Sequence, residues 1–224
     1  MAIAPWLRGE GPRDKILERG AETLSDVELV AVLLRTGRRG VGVLDCARGL
    51  LARFETIGRL LAAAPADLAV CPGVGRARAA ELKAVLELAR RALAGRMRDS
   101  DALTAPGAVR DYLHLSLMGR EREVFAVLFL NAQNRVIAFE ELFHGTLTQT
   151  SVYPREVVRS ALRHNAAAAI FAHNHPSGLA EPSAADRTLT QALIQALGLV
   201  DVRVLDHFII GNGSALSFAE RGIL

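Results

Sequence analysis

Aromatic residues are scarce, at 5% of 224 residues, although half the chain is hydrophobic. Alanine and leucine carry the apolar share, a composition that leans toward packed helices. Cysteine is nearly missing: Cys46 and Cys71 alone can make neither a disulfide framework nor a four-thiolate zinc site, which points to a reducing cytoplasm. Long apolar runs are absent too. The longest are seven residues, as in Ala166–Ala172, far short of a membrane span. The opening MAIAPWLRGEGPRDK has no apolar core of the kind a secretory signal needs. Lysine occurs only at positions 15 and 83, the other 25 basic residues being arginine, which reflects genome composition as much as function. With 23% charged residues and a mean hydropathy of +0.22, a disordered chain is excluded, and 24.1 kDa allows one large domain or two small ones.

The charge is uneven. Residues 1–99 hold 17 basic against 12 acidic side chains, and residues 100–224 hold 10 against 12. A basic first part beside a slightly acidic second part suggests two modules with different partners. The pattern supports a division. Ser25 and Glu28 have capping-box spacing ahead of an apolar helical run to Leu34, and further helices are predicted from Gly42–Leu44 through Phe54, over 57–64, from Pro65, and from Arg76 to about Ala94. The polar stretch 95–101 is read as a linker, giving modules 1–98 and 102–224. Beyond it helices alternate with apolar strands: helix 108–117, strands 123–130 and 135–143, helix 154–165, strand 167–172, helix 183–197 and further strand over 202–210. That order predicts an α/β/α sandwich on a mixed sheet, preceded by an all-α module.

The segment His173-Asn174-His175-Pro176-Ser177-Gly178 follows the third strand. Histidines at i and i+2 point to one side of a strand and suit one cation. Seven residues separate His175 from Ser183, a helix cap with Asp186 in the first turn behind it. Two imidazoles and a carboxylate leave a fourth tetrahedral position open, the composition of a catalytic zinc site that activates water. Glu123, opening the first apolar strand fifty residues before His173, is the candidate base, with Glu140, Glu141 and Glu156 as rivals. Ser183 could donate its hydroxyl to an oxyanion. On their own, Ser183 and Asp186 would be an ordinary cap and first-turn acid. His114, His144, His164 and His207 lack partner spacing and are read as structural, with His207, after Asp206, close enough in type to support a ligand.

The pattern H-x-H-x(7)-S-x-x-D behind a strand-opening glutamate resembles the JAMM (MPN+) metalloprotease motif. The blocks Phe143-His144-Gly145-Thr146-Leu147, Pro154-Arg155-Glu156-Val157-Val158 and Ala172-His173-Asn174-His175-Pro176-Ser177-Gly178 resemble the bacterial RadC family along the whole chain. The resemblance implies a three-layer JAMM/MPN-type domain with His173, His175 and Asp186 as Zn2+ ligands, Ser183 as the oxyanion serine and Glu123 as the catalytic glutamate. It implies a metalloprotease-like hydrolase of peptide or isopeptide bonds; the alternative is a DNA-associated accessory or repair protein whose metal domain is structural. Asn174 departs from the wider pattern, since deubiquitinating members carry Ser or Thr between the histidines. An HNH nuclease is a misreading of His-Asn-His, and a zinc deaminase would need a Cys pair after its histidine, whereas both cysteines here precede the histidines.

In the first module, a short helix, Pro72-Gly73-Val74-Gly75 and a long helix resemble a helix-hairpin-helix. Backbone N–H groups at Gly73 and Gly75, with Arg76 and Arg78, would give non-specific DNA contact. A turn that only packs helices, or docks another protein, is the alternative.

Overall fold

The structure is a computed structural model, which describes residues 11–99, 101–102, 106–145 and 152–224. Thr146 and Leu147 of the Phe143–Leu147 block lie outside them, as does Ser100 of the expected linker.

The chain forms two compact units, 1–87 and 88–224. The first is helical: α1 (Pro12–Arg19), α2 (Asp26–Leu34), α3 (Val43–Phe54), α4 (Ile57–Ala62), α5 (Pro65–Ala69) and the first half of α6 (Gly75–Asp99). The capping box forms as spaced. Ser25 Oγ accepts the Glu28 N–H, the Glu28 carboxylate accepts the Ser25 N–H at 3.0 Å, and Lys15 Nζ donates to the same carboxylate at 2.5 Å. The core joins Val30, Leu34, Ala47, Leu50, Leu60, Leu68 and Leu82, supplied by α2 through α6.

Residues 95–99 of the expected linker are helical, because α6 continues through them. The physical reason is apolar. Met97 is 1% exposed within the core of the second unit, and Leu93 and Ala94 pack against the same core. The division between units therefore falls inside the helix, at Glu87/Leu88.

The second unit is built on a five-stranded mixed sheet of β1 (Val124–Leu130), β2 (Val136–His144), β3 (Ala168–Asn174), β4 (Arg203–Ile210) and β5 (Ala215–Ser217), in the order β2-β1-β3-β4-β5. β3 runs antiparallel to β1 and parallel to β4. Alternation divides the side chains between two cores. Val124, Ala126, Leu128, Ile170 and Ala172 face α7 (Pro106–Leu117) and the end of α6. Phe125, Val127, Phe129 and Phe171 face α8 (Pro154–Arg163) and α9 (Ala184–Gly198), which contribute Val157, Ala161, Leu193 and Leu197. Helices thus cover both faces of a mixed sheet, the expected α/β/α architecture. The third strand continues past Ala172 through Asn174, and the short strand β5 is one that periodicity does not predict.

Candidate metal centre

β3 is the middle strand of the five, and it ends by delivering the site. His173 lies on the α8/α9 face, 1% exposed, and His175 follows directly after the strand. A tight turn then reverses the chain, with Gly178 N–H donating to the His175 carbonyl at 2.9 Å. Gly178 has φ +84°, and a Cβ there would meet Asn212 Nδ2 at 2.4 Å, so both the conformation and the space require glycine.

The chain returns at Ser183, which caps α9. Its Oγ accepts the Asp186 N–H at 3.1 Å, and its own N–H and O–H both reach Asp186 Oδ2 at 2.7 Å. The capping box holds the third candidate ligand. Asp186 Oδ1 stands 3.3 Å from His173 Nε2, Asp186 Oδ2 stands 3.5 Å from His175 Nε2, and the two Nε2 atoms are 3.0 Å apart. A tetrahedral zinc with bonds of about 2.0–2.1 Å has ligand atoms about 3.3 Å apart; the donor set fits that ion in chemistry, and each imidazole stands close to that distance from one oxygen of the carboxylate. Among the described residues, this is the one group of three His, Cys, Asp or Glu side chains so disposed.

Each imidazole is held by its other nitrogen. His175 Nδ1 lies 2.8 Å from the Leu179 carbonyl. A carbonyl only accepts, so Nδ1 carries the proton and Nε2 is left for a cation. His173 Nδ1 lies 2.8 Å from His207 Nε2, and His207 Nδ1 lies 2.6 Å from Thr190 Oγ1. The charges are strongly coupled. Burial raises the Asp186 carboxyl, but the His173 and His175 imidazoles beside it outweigh that and hold the group well below the ordinary carboxylate range. The bond to Asp186 raises His175 against its partial burial, helped by the Leu179 carbonyl and by the Asp186 and Glu123 charges. Burial pushes His207 well below the ordinary histidine value, and the charge of His173 adds to it.

Glu123 immediately precedes β1. Phe125 pairs with His173 in the antiparallel register, so Glu123 lies just beyond the end of the ladder nearest the site, and its charge acts on His175. Asn174 secures that approach. It is 3% exposed, its Oδ1 accepts the Val124 N–H at 2.8 Å, and its Nδ2 donates to the Arg122 carbonyl at 3.1 Å. The residue that departs from the wider motif thus anchors the entry to β1. The rival carboxylates are engaged elsewhere: Glu140 with Arg163 and His164, Glu141 with Arg120, Glu156 with Arg159. His207, grouped with the structural histidines but noted as able to support a ligand, does contact a candidate ligand directly, and Thr190 behind it carries no signal in the sequence.

In the first unit, Gly73 and Gly75 take φ +88° and +63° between α5 and α6, as a hairpin requires. Arg78 turns inward. It donates to the Gly73 carbonyl and, at 2.5 Å, to Thr36 Oγ1, whereas Arg76 is exposed.

Family models match the chain in two blocks: a RadC-like JAB domain over residues 103–223 and a UPF0758 N-terminal region over residues 3–80. The chain is 60% identical over 224 residues to "UPF0758 protein Nmul_A2138" of Nitrosospira multiformis and 60% identical to a UPF0758 protein of Thiobacillus denitrificans, covering 100% of both chains in each case. It is 61% identical over 213 residues to "UPF0758 protein Mpe_A2695" of Methylibium petroleiphilum, covering 95% of this chain and 96% of that one. A helical first unit, a JAB-type second unit with its His-His-Asp group and relatives matched from end to end agree, and the chain belongs to the RadC family of UPF0758 proteins.

Proposed function

We propose that this protein is a zinc-dependent hydrolase of peptide or isopeptide bonds, with His173, His175 and Asp186 holding the ion. The observation that carries the reading is the convergence of the His173 and His175 Nε2 atoms and the Asp186 carboxylate, at pairwise approaches of 3.0, 3.3 and 3.5 Å, three donors that would leave a fourth tetrahedral position open. Zinc in such a site supplies Lewis acidity, polarising a carbonyl and acidifying water. The chain's own residues do the rest. Glu123, whose charge acts on His175, takes a proton from water and returns it to the leaving amine. Ser183 Oγ points at Asp186 Oδ2, so to donate to an oxyanion its hydroxyl must rotate away from that carboxylate while the backbone half of the cap persists. Two buried free thiols, Cys46 and Cys71, fit work in a reducing cytoplasm.

Non-specific DNA contact through the hairpin has less support. Of the two arginines that would meet phosphate, Arg78 is spent on Gly73 and Thr36, which leaves Arg76 and the backbone of Gly73 and Gly75.

The test is metal analysis of protein purified without chelator, followed by assay on peptide and isopeptide substrates. About one zinc per chain is expected, lost in His173→Ala/His175→Ala. Glu123→Gln should keep the zinc and lower hydrolysis by about 10²–10⁴-fold, since an amide of similar volume cannot take the proton. Stoichiometric zinc in the double histidine variant would refute the ligand set, and full activity in Glu123→Gln would move the base elsewhere.

A further inference from the structure

We propose that Thr190 and His207 are positioning residues that fix the tautomer of His173, so that its Nε2 offers a lone pair to the cation. The inference rests on the zinc reading above and adds two residues to it.

The direction of the hydrogen bonds can be read from one end. Thr190 Oγ1 lies 2.6 Å from the Asp186 carbonyl oxygen, one helical turn back along α9. Two oxygens that close repel unless a proton lies between them, and a carbonyl has none to give, so the threonine proton sits there. Thr190 Oγ1 also lies 2.6 Å from His207 Nδ1. Its only proton being spent, the oxygen accepts, and His207 Nδ1 carries a hydrogen. His207 is fully buried, with the rings of Phe125, Phe171 and Phe218 around it at 5.8, 5.8 and 4.8 Å between centroids. An imidazolium is costly in such a place, so the ring is neutral and its Nε2 is bare. His173 Nδ1, 2.8 Å away, must then be the donor. Its proton is fixed on the side away from Asp186 and His175, and the lone pair of Nε2 faces both. Reversing every bond would put the His173 proton on Nε2, where the cation belongs, and would leave two acceptors 2.6 Å apart at Thr190.

The two ligand histidines therefore reach the same tautomer by different means: His175 through a backbone carbonyl, His173 through a buried side-chain relay that starts at the backbone of the third ligand. Outer groups of this kind typically change metal affinity by about 10–100-fold when removed.

The experiment uses the full-length protein. Thr190→Val keeps the shape but has no acceptor, whereas Thr190→Ser restores the hydroxyl. Zinc affinity, measured by competition with a chromogenic chelator, should fall at least about tenfold in Thr190→Val and return close to wild type in Thr190→Ser. Imidazole ¹⁵N spectra of the metal-free wild type should show His207 as the Nδ1–H tautomer. Finding His207 as Nε2–H would overturn the proposal even if the valine variant does not fold, and so would a Thr190→Val protein that binds zinc as tightly as wild type. A wild type that binds no zinc would sink the zinc reading, while the spectra would still decide the relay.

Discussion

Glu28 shows how much one side chain can hold in place. Its carboxylate closes the cap of α2 and takes the Lys15 ammonium from α1. The hydrogen bond from Lys15, then those from Ser25, lower its pKa from 4.5 to about 2. A carboxyl whose folded value is depressed stabilises the fold above its unfolded value and loses that contribution as pH falls through the folded one. The window here runs from about pH 4.5 down to about 2. Glu28→Gln retains the capping geometry without the charge. Urea unfolding should therefore show the variant less stable than wild type at pH 7, with the gap closing between pH 5 and pH 2; a constant gap would mean that the charge is not what matters. Residues differ in how openly the sequence displays them. His173, His175 and Asp186 are legible as a group, with the Ser183 cap, because one short segment carries them all, and the start of β1 beside Glu123 is legible from the apolar run that follows it. Thr190 is not, His207 is so only as a candidate support, and the anchoring role of Asn174 is hidden, because each works through a partner from a distant element, and a buried polar residue looks in sequence like any other.

At the level of elements, the hairpin between α5 and α6 is an exacting local geometry in the first unit. Gly73 has φ +88°, and a Cβ there would stand 3.0 Å from the Cys46 sulfur. Gly73→Ala should lower the denaturant midpoint, by about 1–3 kcal/mol in stability. An unchanged midpoint would show that the turn can relax into another conformation. Helices are readable: α2 starts at its capping box, and α3 and α8, which have no side-chain cap, lie where periodicity sets them. Strand ends are less so. The polar His173 and Asn174 look like the close of a strand, yet the ladder runs through them because their side chains find partners on either face. β5, three residues long, has too little alternation to announce itself.

For the whole molecule, the helix that crosses the division changes how the charge is apportioned. Residues 1–87 hold 13 basic and 11 acidic side chains, and residues 88–224 hold 14 and 13, so the basic surplus seen in the first 99 residues belongs mainly to 88–99. The same segment matters for stability. A fragment starting at 102 lacks Met97, Leu93 and Ala94, which cover the core of the second unit, whereas one starting at 88 keeps them. Losing a buried methionine alone costs about 2–5 kcal/mol. The 88–224 fragment should accordingly melt roughly 10 °C above the 102–224 fragment by calorimetry, and equal melting temperatures would show that the second half of α6 is dispensable.

The place of β4 in the chain has a consequence for biosynthesis. A ribosome releases His173, His175 and Asp186 before His207, and a domain folds as a unit once its segments have emerged. If the three residues hold a metal, then until β4 has paired with β3 they would face cellular metals with His173 free to hold its proton on either nitrogen. On the relay reading, the last long strand of the domain acts as a timer: high-affinity capture of the ion waits until synthesis of the fold is almost finished, and an abortive chain ending before residue 203 carries every ligand yet competes poorly for zinc.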